Sequence, residues 1–455
     1  MFQSRSWRWV VLFVSSVSGA FFVQGSLVEA AQAVTPGAIK EVIPNVAQAS
    51  TAKIWRAWLD AILAKHPDVV SAKEKLLAAQ ANHQAALSGF LPQVSSTGSG
   101  TYSGGGASSG AMSYAASVQV GQSLFAGFED QLKRDRTELQ MKLAEVDFEK
   151  VKSQVEFEAK NGAIEWQYAK DAVRVAQSVL KRREKNADLV SLRFESGREN
   201  KGSALLSKAY LAQANLEKFQ AENLVRIARA HLAKTIQSAS DLNEEAELGE
   251  IPEFTSSAVS PVKADFQMQL LSTSEVNAIA SHHFDFQRSQ LSTAVSEVDL
   301  SLTKKNFYPT LGLAGSLGRV GPTFFPENTH WSVGLNLTIP IYNGGRDFQG
   351  FAAAQSMARA AHADEVGQVL DLRSMIIETH VAWTESAQKL KVAENFYLAA
   401  SLRAEVARER YANGLASFED WDLVENDLIQ REKTQITAKK DLLMAESKWQ
   451  REARQ

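Results

Sequence analysis

The 455-residue chain has no cysteine. That excludes disulfides, thiolate metal ligands, cysteine nucleophiles and lipidated cysteine anchors together. Proline is scarce: ten residues, none between positions 93 and 251 and none after 340. Proline disrupts a helix interior by about 3 kcal/mol. The two proline-free stretches, of 159 and 115 residues and rich in Ala, Glu, Lys, Gln and Leu, are therefore expected to be very long helices. Excess charge is also missing. Lys plus Arg is 49 and Asp plus Glu is 52, so bulk electrostatics offer no attraction to nucleic acid. Motifs of common chemistry are absent too. Lys201-Gly202-Ser203 runs in the wrong order for a phosphate loop, and neither His-Glu-x-x-His nor Gly-x-Ser-x-Gly occurs. His282-His283, adjacent and pointing two ways on a helix, reads as a surface pair rather than a metal site. No catalytic, cofactor or metal-binding residue is assigned, and the chain is not expected to be an enzyme.

What is present begins with an export signal. Arg5 and Arg8 precede an apolar run, Val10 to Val23, and Ala31-Gln32-Ala33 supplies a small-x-small cleavage site. Residues 1–33 are expected to be a secretory signal peptide, too short for a comfortable membrane span. No later apolar run approaches about 18 residues.

The remainder is two copies of one unit. A shift of 217 residues places His66 on His283, Asp68 on Asp285, Phe90 on Phe307 and Pro92 on Pro309. It also places Gly127 on Gly344, Trp166 on Trp383, Arg193 on Arg410 and Gly197 on Gly414. So many matches at one offset indicate tandem duplication. Each unit should open with a moderate helix, 67–89 or 284–306. Two strands follow, with period-two alternation clearest in Leu311, Leu313, Leu317 and in Trp331, Val333, Leu335, Leu337. In the first copy the strands are placed at Val94–Gly100 and Tyr114–Phe125, with Thr101–Ser113 as a Gly/Ser loop. A long helix comes next, roughly 129–194 or 346–411, with coiled-coil spacing at Gly162, Trp166, Ala169, Val173, Ala176 and Leu180. A turn and a return helix, to about 238 or 454, complete the unit. Trp55, Trp58, Leu59 and Ile62 form an apolar stripe read as packing rather than a ligand site.

Four strands cannot close a barrel, for which about eight is the practical minimum. Packing on a helix in a soluble domain would satisfy an apolar sheet face. An exported chain, strands of membrane-crossing length and aromatics at both strand ends argue instead for a barrel shared among protomers. Those aromatics are Phe90, Phe125, Phe128, Phe307, Tyr308 and Tyr342 at one end, and Tyr102, Tyr114, Phe324, Phe325 and Trp331 at the other.

With these parts in order, the chain resembles the TolC family of outer-membrane channels. The resemblance rests on the strand exits Gln122–Gly127 and Ile339–Arg346, the turns Arg193–Gly197 and Arg410–Gly414, and Leu91-Pro92 and Tyr308-Pro309 at the strand starts. It covers essentially the whole chain after the signal. It implies a mainly α fold with a small β part: a homotrimer with a 12-strand outer-membrane barrel above a long periplasmic helical barrel. The expected boundaries are 1–33 signal peptide, 34–66 equatorial segment, 67–240 first repeat, 241–275 inter-repeat equatorial segment and 276–455 second repeat. The implied role is passive exit duct of a tripartite export system, with an inner-membrane transporter, a periplasmic adaptor and outer-membrane lipid as partners and no cofactor. Small-molecule efflux is favoured. Type I protein secretion, or in another class an exported structural coiled-coil protein, is the alternative. The turns, with Arg193, Ser196, Gly197, Arg410, Asn413 and Gly414, would contact the adaptor. The family carries two aspartates in the helix after the second turn that ring its periplasmic constriction. The first falls here on Asp420. The second falls on Leu423, a departure, with Asp422 and Glu425 near enough to substitute. Glu419, Asp420, Asp422 and Glu425 are the gate candidates. Acid at a helix N-terminus is also favourable with no gate at all. The carboxylates that do not face the axis are expected to tune its field or to pair with Arg408 and Arg410 across the hairpin.

Overall fold

The computed structural model describes residues 55–105, 108–236 and 271–453. The expected signal peptide, and most of both expected equatorial segments, lie outside these residues. Residues 55–63 form α1. The first repeat comprises α2 (Pro67–Ala86), β1 (Gln93–Gly105), β2 (Ser108–Ala126), α3 (Glu129–Glu195) and α4 (Lys201–Ile236). A short α5 (Thr273–His282) leads into the second repeat, which comprises α6 (Phe284–Thr303), β3 (Thr310–Gly321), β4 (Asn328–Thr338), α7 (Arg346–Ala412) and α8 (Phe418–Ala453). The helix pairs α2/α6, α3/α7 and α4/α8 are 217 positions apart at both ends, the offset read from the sequence.

The helices start and stop for local reasons. His66 and His283 are N-caps whose Nδ1 accepts from the amides of Asp68 at 3.3 Å and Asp285 at 3.1 Å. Capping explains the duplicated His-x-Asp. It also corrects the expectation for His283, which is 2% exposed and meets Glu452 at 2.9 Å through Nε2. The long helices each have 67 residues, about 100 Å at 1.5 Å per residue. Each ends in a Schellman turn. Arg198 donates its amide to the Arg193 carbonyl and Gly197 to that of Phe194; Leu415 and Gly414 do the same to Arg410 and Tyr411. The turn requires a left-handed residue, and Gly197 and Gly414 supply it at φ 72° and 74°.

Helix α3 is the spine, packing against α2, α4, α6 and α8. The two shorter helices of the first repeat occupy successive stretches of it. His83 of α2 meets Thr137 at 3.2 Å, and Val69 packs with Val155 and Ala159. From there α4 takes over: Leu232 joins the same cluster, Ala214 packs with Val179, and Ala204 with Val190. At Gly162 an added methyl would stand 3.0 Å from Leu232, so the small residue sets the closeness of α3 and α4. Trp55, Leu59 and Ile62 are buried in that cluster, with Trp58 packed edge-on to Trp55 at 5.0 Å, as the packing reading expected.

The strands form one antiparallel sheet in the order β1-β2-β3-β4, continuous across the two repeats. The first hairpin is longer than expected. Pairing continues through Tyr102↔Met112 to Gly105↔Ser108, most of the stretch assigned to a loop. A ladder is made by backbone groups, and Gly and Ser keep theirs. Register puts Val94, Val118, Val120, Leu313, Leu317, Trp331, Val333, Leu335 and Leu337 on one face. The other carries Thr97, Ser117, Ser316 and Ser332, joined across strands at 3.0 and 2.8 Å. The apolar face is bare: Trp331 is 74% exposed and Leu335 68%. Among the described residues, no helix is long and apolar enough to cross a membrane.

Candidate functional site: the paired hairpin tips

The sequence-assigned residues gather where the turns α3–α4 and α7–α8 lie side by side. A small core holds them: Val190 and Ala204 from the first hairpin, Tyr411, Phe418 and Trp421 from the second. Tyr411 and Trp421 stack at 4.5 Å between centroids and 16° between planes. Both are almost fully buried, and truncating a side chain such as Trp421 costs about 3–5 kcal/mol.

Polar contacts cross between the tips in both directions. Arg193 Nη1 donates to the Tyr411 carbonyl at 2.6 Å, while its guanidinium lies 4.6 Å above the Tyr411 ring. In return the Tyr411 hydroxyl donates to Glu199 at 2.9 Å. Burial and the neighbouring Glu199 carboxylate push the phenol well above its ordinary range, so it remains a donor. The arrangement is one-sided. Arg410, the repeat equivalent of Arg193, is exposed. Ser196 and Asn413 cap their own helices, bonding to the carbonyls of Arg193 at 3.0 Å and Glu409 at 2.9 Å.

The four acidic candidates divide by face. Glu425 is buried and meets Arg182 Nε at 3.0 Å; Arg182 also grips Glu432 at 2.6 Å. Burial opposes the Arg182 charge, and the two carboxylates more than offset it, holding the guanidinium above its ordinary value. Asp422 pairs with Arg183 at 3.2 Å, and Asn426 donates to Asp422 at 3.0 Å. The arginines come from α3, about 240 residues away in sequence, and not from Arg408 or Arg410 as expected. Glu419 and Asp420 lie on the opposite, exposed face with Leu423, which is 72% exposed. Ser417 caps the helix: its Oγ accepts from the Asp420 amide at 3.1 Å and donates to the Asp420 carboxylate at 2.9 Å. No group of three or more metal-ligating side chains occurs among the described residues.

Sequence reasoning missed Glu199, Tyr411 and the Arg182/Arg183 pair as working residues. The repeat alignment held a signal, since neither arginine recurs in the second copy, where Ala399 and Ala400 stand.

The chain is thus a duplicated helix–hairpin–helix–helix unit, with a bare apolar sheet and paired, braced helical hairpins. The outer membrane efflux protein model matches residues 58–236 and 276–448, and the chain belongs to that family. It is thereby an outer-membrane, non-enzymatic transport protein. It is 22% identical over 307 residues to nodulation protein T of Rhizobium leguminosarum bv. viciae, covering 65% of this chain and 60% of that protein. Among solved structures it is similar to CusC, with TM-score 0.78, 14% identity and coverage of 88% of this chain and 91% of CusC. VceC of Vibrio cholerae gives a TM-score of 0.74 at 15% identity, covering 88% of this chain and 96% of VceC.

Proposed function

We propose that three copies of this chain close a twelve-stranded barrel and form a passive exit duct. It receives small molecules from an inner-membrane transporter and a periplasmic adaptor. The observation that carries this reading is the sheet: four strands, two open edges and one bare apolar face. In water or in lipid, unpaired edges are costly, and closure with other copies removes them.

The helices support it. Exposed apolar side chains line α4 (Leu205, Leu216, Phe219, Ile227) and α7 (Val392, Phe396, Leu402, Val406). Within the chain α3 packs against α8. The repeat equivalent of that contact is α7 against α4, and a neighbouring copy supplies it. CusC, similar in fold, undergoes conformational changes that accompany its folding and transmembrane channel formation, which agrees with this reading.

In this assembly the tips, with Arg193, Ser196, Gly197, Arg410, Asn413 and Gly414, face the adaptor. Asp420, repeated three times about the axis with Glu419 beside it, supplies the charge of the narrow end. Asp422 and Glu425 keep the two hairpins of one protomer together. The test is replacement of Asn413 or Ser196 by Trp in cells that depend on the protein for efflux. Trimer yield should persist while export fails. Normal export by both variants contradicts the tips as docking surface.

A further inference from the structure

The four strands contain a single Lys, Arg, Asp or Glu, and it is Arg319. Register sets it opposite Ala116 on β2 and Thr329 on β4. That places it on the apolar face, one step beyond the Leu317↔Trp331 pair. β3 is an inner strand, so closure of the sheet edges leaves this position open to the surroundings. Arg319 is exposed, and among the described residues no hydrogen bond or ion pair engages it.

A lone cation facing lipid is disfavoured unless an anion meets it there. Its height is informative. From Leu311 to Arg319 is eight residues, about 26 Å of strand, so the arginine stands at the hairpin end of the apolar band. Trp331 and Tyr114 flank it on the same face, and such side chains present a donor at an apolar–polar boundary. A guanidinium matches phosphate geometry through two parallel hydrogen bonds. Below it Leu317, Leu335 and Val333 offer bare surface for acyl chains, at 58%, 68% and 69% exposure.

We propose that Arg319, with Trp331 and Tyr114, is a docking site for the phosphate of an outer-leaflet glycolipid whose acyl chains run down the leucine ladder. This rests on the reading that the hairpins point outward through the outer membrane. In general, that membrane's outer leaflet is built of phosphorylated glycolipid.

The experiment uses the full chain in nanodiscs titrated with diphosphorylated lipid A, followed by native mass spectrometry. Arg319→Ala should weaken lipid A binding about tenfold. Arg346→Ala, at the opposite end of the sheet, should bind as the parent does. Dephosphorylated lipid A should bind parent and Arg319→Ala equally. Equal binding of diphosphorylated lipid A by Arg319→Ala and the parent overturns the proposal. Displacement by inorganic phosphate at micromolar concentration does so too, since it would assign the arginine to a free anion. Orientation is read separately. Because the chain lacks cysteine, Phe325→Cys on intact cells reports through a membrane-impermeant maleimide. Labelling with equal lipid binding sinks this proposal alone, and absence of labelling sinks the outward orientation beneath it.

Discussion

Arg193 and Tyr411, on different repeats and 218 positions apart, hold each other twice: the guanidinium bonds the tyrosine carbonyl at 2.6 Å and covers its ring at 4.6 Å. Arg193 thereby adds a second, charged donor to a carbonyl in the last turn of α7 that already accepts the Gly414 amide. The repeat equivalent, Arg410, is exposed. Arg193→Ala should therefore cost about 1.5–3 kcal/mol, the range for a charge-assisted hydrogen bond. Arg410→Ala should stay within about 0.5 kcal/mol, as surface changes do. Thermal unfolding of the purified protein compares them, and equal losses contradict a clasp made by Arg193 alone.

The strand-to-helix junctions give a second asymmetry. Gly127 and Gly344 are repeat equivalents, both left-handed at φ 61° and 67°. At Gly127 a methyl would stand 2.9 Å from Tyr308 Cβ and 3.0 Å from the Lys305 carbonyl oxygen; at Gly344 it would meet nothing within 4 Å. Both alanine variants carry backbone strain of roughly 1–2 kcal/mol. Only Gly127→Ala adds a clash, so it should lower folded yield and melting temperature more than Gly344→Ala. The reverse order would contradict the packing at this junction.

His380 is expected to make the protein's stability sensitive to acid. It is buried against Trp449 at 5.0 Å and Trp383 at 6.0 Å, and burial lowers its pKa, with Glu275 opposing the shift. A histidine with a depressed folded pKa binds fewer protons folded than unfolded, so stability rises with pH across that interval. Its contribution is full above the ordinary value of 6.5 and is lost as pH falls through the folded value. Melting temperature measured from pH 7.5 to 5 should fall less steeply in His380→Gln than in the parent. Identical slopes would exclude His380 as a source of the acid sensitivity.

Much of this was legible because it repeats. His66 and His283, Gly197 and Gly414, and the long proline-free stretches mark helix starts, turns and lengths, and duplication confirms each mark with its twin. What breaks the repeat was not legible. Glu199 meets Tyr411 only after two hairpins pack, and Arg182 reaches Glu425 across 243 positions with no periodicity to announce it. The long first hairpin was hidden because alternation of apolar and polar side chains is the strand signal, and pairs of small or polar residues such as Thr101↔Ser113 and Ser103↔Ala111 carry almost none.

The division of the acidic cluster predicts separable phenotypes. Asp422 is tied to Arg183 and Glu425 to Arg182, so Asp422→Ala and Glu425→Ala should act through stability, up to about 3–5 kcal/mol for the buried pair. Asp420 is exposed, and Asp420→Ala should change ion passage while losing only the exposed hydrogen bond from Ser417 Oγ, about 1 kcal/mol or less.

Single-channel recording in planar bilayers tests the central claim most directly. Parent protein should insert as trimers with uniform, cation-selective conductance steps, blocked by trivalent cations, with selectivity falling as salt rises. Asp420→Ala should lose cation selectivity and trivalent block, beyond any loss in Asp422→Ala. A protein that gives no discrete conductance and remains a monodisperse monomer with full strand content would contradict the shared barrel and the duct it forms.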